Sequence, residues 1–421
     1  MKLIRLQELQ RRVQDSQPPD FRSRRGTMMF WSGGVFLAML MIVGCFLNVM
    51  WLSSVRSEAR RHAESAVVVG CHAYLSDDIL RLSQQQFEHD GRVVRSRNAA
   101  VDYIRQSGDR TLSRMITEND VELSSPGAAD HTGDSGLTQL AADVPEEIRV
   151  TFGKGASNDQ LQMFFSGLHG VHHARVGVSA AAKIEHAPLA FLPGGNISIP
   201  MLPFSIVDES DGSMQDASGP WSEQIESGKG ADNLSWNSEQ HTVENGADGL
   251  TEITLKLSPN SPNPKPDSFV SLKFAATSAT GDSCQTVNWM QHGVTAADLK
   301  TLGLNQLDFP CTMSVSRLSK PECIEIARWL HSHAGQAFIV CLCRPQVSPA
   351  GRSKESAVGS VSSTVELNRA VAARVMCSGI SATGEVRICL QACVLITSTA
   401  LTSCSSQVRL NRYVYSVRLC E

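Results

Sequence analysis

Apolar positions along this chain change their spacing several times, and each change marks an element. The longest apolar run, residues 28–52, reads MMFWSGGVFLAMLMIVGCFLNVMWL, with no charge between Arg25 and Arg56. About 20 apolar residues at a rise of about 1.5 Å each cross a bilayer core. A single segment in hydrocarbon satisfies its own backbone as a helix, so the run predicts a membrane-spanning helix. Trp31 and Trp51 stand near its ends as interfacial anchors. Asn48 is the strongly polar residue inside, placed to reach headgroups or a partner helix. The run is long for a signal sequence and begins after a polar leader, so an uncleaved anchor is expected.

Past the membrane, Ala59, Ala63, Ala66, Val67, Gly70 and Tyr74 recur at helical spacing, with Arg56, Glu58, Arg60, Arg61 and Glu64 opposite. The helix is expected to continue to about residue 82. Its small-residue face has two readings: a docking seam for a partner helix, or a stalk folded back on its own domain. A second helix is expected over 91–106 with Asp90 as its N-cap. Residues 117–145 read as a polar loop. Alternation at Ile148, Val150 and Phe152 predicts a strand. A short helix capped by Asn158 and bearing Leu161, Phe164, Phe165 and Leu168 follows. A strand from Val176 to Ile184 completes a strand-helix-strand unit.

Residues 191–207 are apolar but punctuated by Pro200 and Pro203, which predicts an extended edge segment. Residues 208–250 read as a loop. Strands are expected at 253–257 and 270–274, around a Pro-rich hairpin or loop at 258–266. Helices are expected at 296–302 and 320–333, the latter with Pro321 in its first turn. Strands at 337–342, 371–376, 386–396 and 408–419 flank a Ser/Gly-rich loop at 344–364.

Charge orients the anchor. Lys2, Arg5, Arg11, Arg12, Arg22, Arg24 and Arg25 precede it, against Arg56, Arg60 and Arg61 after it. The basic side stays cytoplasmic, which places about 370 residues outside. The leader's 3–13 stretch reads as a surface amphipathic helix or a disordered tail. A net charge of −4 supplies no basic field for nucleic acid. Aromatics at 6% limit the core, so loop-rich domains are expected. Ten of the twelve cysteines fall between Cys284 and Cys420, a clustering that suits disulfides in an exported segment.

At this point the residues resemble a known family. The run from Arg24-Arg25-Gly26 through the span to Arg56, Glu58, Ala63, Ala66, Gly70 and Tyr74 is similar to the N-terminus of TadE/TadG-like proteins of Tad (Flp) pilus-assembly systems. Phe164, Phe165, Gly170, Val171, Val176, Val178, Ala180 and Ala182 fit a second patch of that family. FLPGGNISIPMLPFSI and WMQHGVTAADL resemble later segments of large planctomycete-type TadG proteins. The resemblance covers 22–82, 148–206 and 287–300. It implies a membrane-anchored accessory protein of a Tad-type pilus (a type IV pilus class) or related secretion machine, with no catalytic chemistry. Prepilin-like members carry a carboxylate for peptidase processing after the leader glycine. None follows Gly26 here before the span, with Phe30 and Trp31 in its neighbourhood.

SIVDESDGSM suggests a metal site of the von Willebrand A type through Asp208 and Ser210, but Gly212 replaces the second serine. His169, His172 and His173 cluster, as do His331 and His333 ahead of Cys341 and Cys343, yet neither set has ordinary zinc spacing. Gly153-Lys154-Gly155 is too short for a phosphate loop, and hydrolase motifs are missing. The expectation is therefore no catalytic, cofactor-binding or metal-binding residues.

The sequence thus predicts an α+β chain: leader 1–27, transmembrane helix 28–52, exit and second helices 53–110, polar loop 111–147, strand-helix-strand unit with Pro-rich continuation 148–206, polar loop 207–250, and a Cys-containing β-rich region 251–421. It is expected to be a single-pass inner-membrane protein with its N-terminus cytoplasmic. Its expected role is a non-enzymatic pilus-assembly component that docks on other assembly proteins and the membrane, without nucleic acid. The alternative is an envelope adhesin or stalked surface-binding module unconnected to a pilus.

Overall fold

The computed structural model describes residues 21–81, 85–107, 116–124, 145–152, 160–163, 173–186, 188–208, 219–257, 269–274, 285–316, 318–345, 364–382, 384–402 and 411–420. The leader helix at 3–13, the Asn158 cap and the loops at 258–266 and 346–363 lie outside them. The fold is α+β: one long apolar helix, then a strand-rich region.

Helix α1 (Phe21–Tyr74) runs unbroken through 54 residues, about 80 Å at helical rise. A 3-10 turn, Asp77–Leu80, follows, and α2 (Gln85–Ser107) returns along α1. It begins earlier than the expected Asp90 cap and carries Gly91 within it. Strands β1 (Val121–Ser124), β2 (Glu147–Phe152), β3 (Gln160–Gln162), β4 (His173–Arg175) and β5 (Val178–His186) come next. Then come β6 (Pro188–Phe191), β7 (Met201–Val207), β8 (Leu234–Asn237), β9 (Thr242–Asn245), β10 (Glu252–Leu257) and β11 (Phe269–Leu272). Helices α3 (Gln285–His292) and α4 (Ala296–Thr301) precede β12 (Leu307–Asp308) and β13 (Cys311–Ser316). After α5 (Lys320–Ser332) lie β14 (Ala337–Pro345), β15 (Thr364–Ile380), β16 (Val386–Ala392), β17 (Leu395–Ile396), β18 (Ala400–Thr402) and β19 (Val414–Cys420).

Two cores result. The first lies between the C-terminal half of α1, α2 and the sheet β1-β2-β5-β19-β17. Ala59, Ala63, Ala66, Val67, Cys71 and Tyr74 are fully buried in it, with Ala100, Val101 and Ile104 from α2 and Ile148, Val150, Ala182 and Ile184 from the sheet. At Gly70 a Cβ would stand 3.4 Å from Ser96 Oγ, which donates a 2.9 Å hydrogen bond to the Gly70 carbonyl. The small-residue face is therefore filled by the chain's own elements, the second of the two readings.

The second core is a closed ring. Sheet order β10-β16-β15-β13-β11-β7-β14, with β14 also paired to β15, joins the sheet to itself through the long β15. Helix α5 covers β15 and β16 from one side. Its Ser319 and Glu322 form a capping box, with Pro321 in the first turn as expected. Low aromatic content does not prevent this core, because Ile, Val, Leu, Ala and Met line it throughout.

Four expectations are corrected. Strand β7 is fully buried between β11 and β14, not an edge segment. Pro203 is tolerated because no ladder partner is assigned to it on either side: the β11 register ends at Phe204, and the β14 register shifts between Ile339 and Cys341. The helix expected from Asn158 is, at Gln160–Gln162, a strand paired with His173–Arg175, a cross-strand partner overriding local spacing. Within the expected loop at 208–250 lie a single-turn π-helix, Trp221–Glu226, and the hairpin β8–β9. Part of the expected loop at 117–145 is strand β1, recruited by β2.

Strands far apart in the chain lie side by side. β19, at the C-terminal end, pairs with β5, and β7 lies beside β14. Asp77 ties the two cores: its carboxylate accepts from Arg374 Nη2 at 2.6 Å and from the Val394 amide at 2.7 Å. All ten described cysteines are free thiols, so the expected bridge is not made in the structure; Cys284 and Cys404 lie outside the described residues.

Candidate functional site

Among the described residues, the N-terminal half of α1 carries an extensive bare apolar surface. Met29–Tyr74 is the helix long and apolar enough to cross a membrane among the described residues. Phe30 is 87% exposed, Phe36 65% and Ile42 69%, with Met39, Val43, Phe46 and Val49 also bare. Bare apolar surface of this extent is stable only when lipid or another apolar surface covers it. Asn48, expected at headgroups or a partner helix, is instead buried at 4% exposure.

At the C-terminal end of the apolar run, Met50, Ser53, Ser54, Ser57, Glu58, Arg61, His62, Ser65 and Tyr103 line an open groove of about 730 Å³. Its hydroxyls and charges begin where the apolar run of α1 ends. Arg60 and Glu64 pair at 2.8 Å one turn apart beside it. Further out, Asp78 takes ion pairs from Arg81 and Arg95. Burial pushes its carboxyl up, but the Arg95 hydrogen bond and both charges outweigh this and hold it below the ordinary range.

The residues weighed as metal ligands are not brought together. Asp208 is buried and accepts from Ser222 Oγ at 2.9 Å, with Arg369 at 3.5 Å. Arg369 forks onto both Glu226 oxygens at 2.8 and 3.0 Å. This is a structural charge cluster that pins the π-helix to β15. Gly219 is required beside it, because a Cβ there would stand 1.8 Å from Asp208 Oδ1. Ser210 and Gly212 lie outside the described residues. His333 stacks on Trp329 at 3.9 Å, whereas Cys341 and Cys343 are buried in β14. His173 is exposed on β4; His169 and His172, with Gly153-Lys154-Gly155, lie outside the described residues. No group of three His, Cys, Asp or Glu side chains placed to hold a metal occurs among the described residues.

A cavity of about 420 Å³ opens beside the second core, lined by Leu80, Ile225, Gly230, Asp232, Leu250 and Arg412 among others. Sequence reading missed it, as it missed the carboxylate-rich hairpin region beside it. Asp232 accepts from the Asp248 and Gly249 amides, and burial raises the Asp248 carboxyl. One signal was legible: Asn237 closes the β8–β9 turn by accepting from the Glu239 and Gln240 amides, an Asx pattern between two alternating runs. No known protein family matches the sequence, and neither curated proteins nor solved structures give a match.

Proposed function

We propose that this chain is a membrane-anchored, non-enzymatic component of a Tad/Flp-type pilus or secretion assembly, working through protein contacts. One observation carries the reading: an apolar helix left mostly bare over about six turns at 3.6 residues each and continuous with a folded α+β region. The Arg-Arg-Gly opening and the Pro-punctuated patches that resemble TadE/TadG-like proteins support it. In this reading the N-terminus is cytoplasmic, the membrane is the inner one, and the α+β region lies outside.

Because the small-residue face is closed within the chain, docking on partner helices falls to the span itself and to the polar groove at its outer end. The test is co-purification from native membranes. The full chain is compared with a variant in which residues 29–50 are replaced by an unrelated apolar span. Recovery of Tad ATPase, platform or TadE/TadF-like proteins with the natural span alone is the expected result. Recovery of none with either chain overturns the pilus reading and favours the adhesin alternative.

A further inference from the structure

Cys377 and Cys389 stand directly opposite each other on β15 and β16. A bulge makes this so. The register shifts between Val375 and Cys377, so Met376 is the extra residue and Cys377 takes the place opposite Cys389. Directly opposed residues in an antiparallel pair have Cα atoms about 4.5–5.5 Å apart. Disulfides span about 4.4–6.8 Å. Cys377 is exposed and Cys389 is buried. The Cys389 thiol also lies 3.7 Å from Glu252 Oε2, on β10 at the other side of β16.

We infer that Cys377 and Cys389 are an oxidisable dithiol, with Cys377 as the attacking sulfur, Cys389 as the resolving one and Glu252 as proton acceptor. The oxidant is a disulfide, RS–SR. The Cys377 thiolate attacks one of its sulfurs, the RS–SR bond breaks, a Cys377–SR bond forms and RS⁻ leaves. Cys389 gives its proton to Glu252 and attacks the Cys377 sulfur, forming the cross-strand bridge and expelling the second RS⁻. Two thiols are oxidised, one disulfide is reduced to two thiols, and the dithiol's protons pass through solvent and Glu252 to the released thiolates. The electrostatics agree. The hydrogen bond from Cys389 lowers Cys377 to about 7, and the same contact raises Cys389. Burial raises Glu252, which brings it nearer to a thiol's range.

Oxidation of this pair in the cell rests on the exported topology proposed above; oxidation of the purified chain does not. The test treats the full chain in detergent with oxidised glutathione, then alkylates and maps peptides by mass. The expected result is a Cys377–Cys389 link in the native protein, a glutathione adduct trapped on Cys377 in Cys389→Ser, and no adduct on Cys389 in Cys377→Ser. Glu252→Gln slows closure of the bridge and lets the adduct accumulate. A Cys377 that stays free, or one that keeps glutathione in the wild-type chain without bridging, overturns the inference. Acid-quenched alkylation of whole cells separates the two claims. A link found in cells supports both, whereas a link formed in detergent but not in cells upholds the dithiol and counts against the exported compartment.

Discussion

At the scale of single residues the molecule depends on positions whose demands are invisible in a hydrophobic pattern. Gly335 holds φ at +87°, and a Cβ there would stand 1.9 Å from the Trp236 ring. Gly303 holds φ at +74° but has nothing within 4 Å. Gly303→Ala is expected to cost about 1 kcal/mol, the backbone term alone. Gly335→Ala adds overpacking, for about 2–4 kcal/mol in total. Chemical denaturation of the two variants in detergent checks the contrast, and equal losses would remove the ring contact from the explanation. At Cys377 the lowered thiol means that more thiolate, and so faster alkylation, is present at lower pH than for an ordinary cysteine. The rate is expected to reach half its maximum near pH 7 in the wild type. In Cys389→Ala, which removes the donor, it moves toward the ordinary value of about 8.5. An identical profile in both chains would show that the two sulfurs do not share a proton.

At the scale of elements, strong periodicity was legible and partnership was not. The α1 run, the alternation in β2, β5 and β10, and the cap of α5 all follow from local spacing. Residues 160–162 and Pro203 misled because a strand's place depends on its neighbours, and those lie far along the chain. The buried alanines of α1 give the clearest test of what the stalk is for. Ala63→Leu is expected to destabilise the fold by about 1–3 kcal/mol through overpacking against α2 and the sheet. Phe36→Leu, on the bare span, is expected to leave the fold unchanged. Thermal unfolding in detergent reads both, and an unaffected Ala63→Leu would reopen the seam as a docking face. Between the cores, Arg374→Met leaves the half-buried Asp77 carboxylate without its cation, for a loss of about 3 kcal/mol at neutral pH. Burial already raises Asp77, so its folded form holds a proton more readily than its unfolded form. The loss in Arg374→Met therefore shrinks as pH falls and Asp77 becomes neutral. Unfolding measured at pH 5 and pH 7 gives the sign.

At the scale of the whole molecule, the chain is a bare apolar helix joined rigidly to two interlocked cores. The span and the α+β character were legible because both follow from composition within short windows. The interlocking was not: β19 completes a sheet begun by β1 and β2, and β7 enters a ring that otherwise forms after residue 268. Such long-range pairings leave no local trace in the sequence. In the proposed reading they also set where partners would dock, since the small-residue face is buried within the chain and the apolar run is bare. The most direct test is photo-crosslinking in native membranes, with the probe placed in turn at Phe36, Val43 and Ala63. The reading proposed here expects adducts to Tad-type membrane proteins from Phe36 or Val43, and only intramolecular links from Ala63. Lipid adducts alone at both span positions, with a protein partner captured at Ala63, would contradict it.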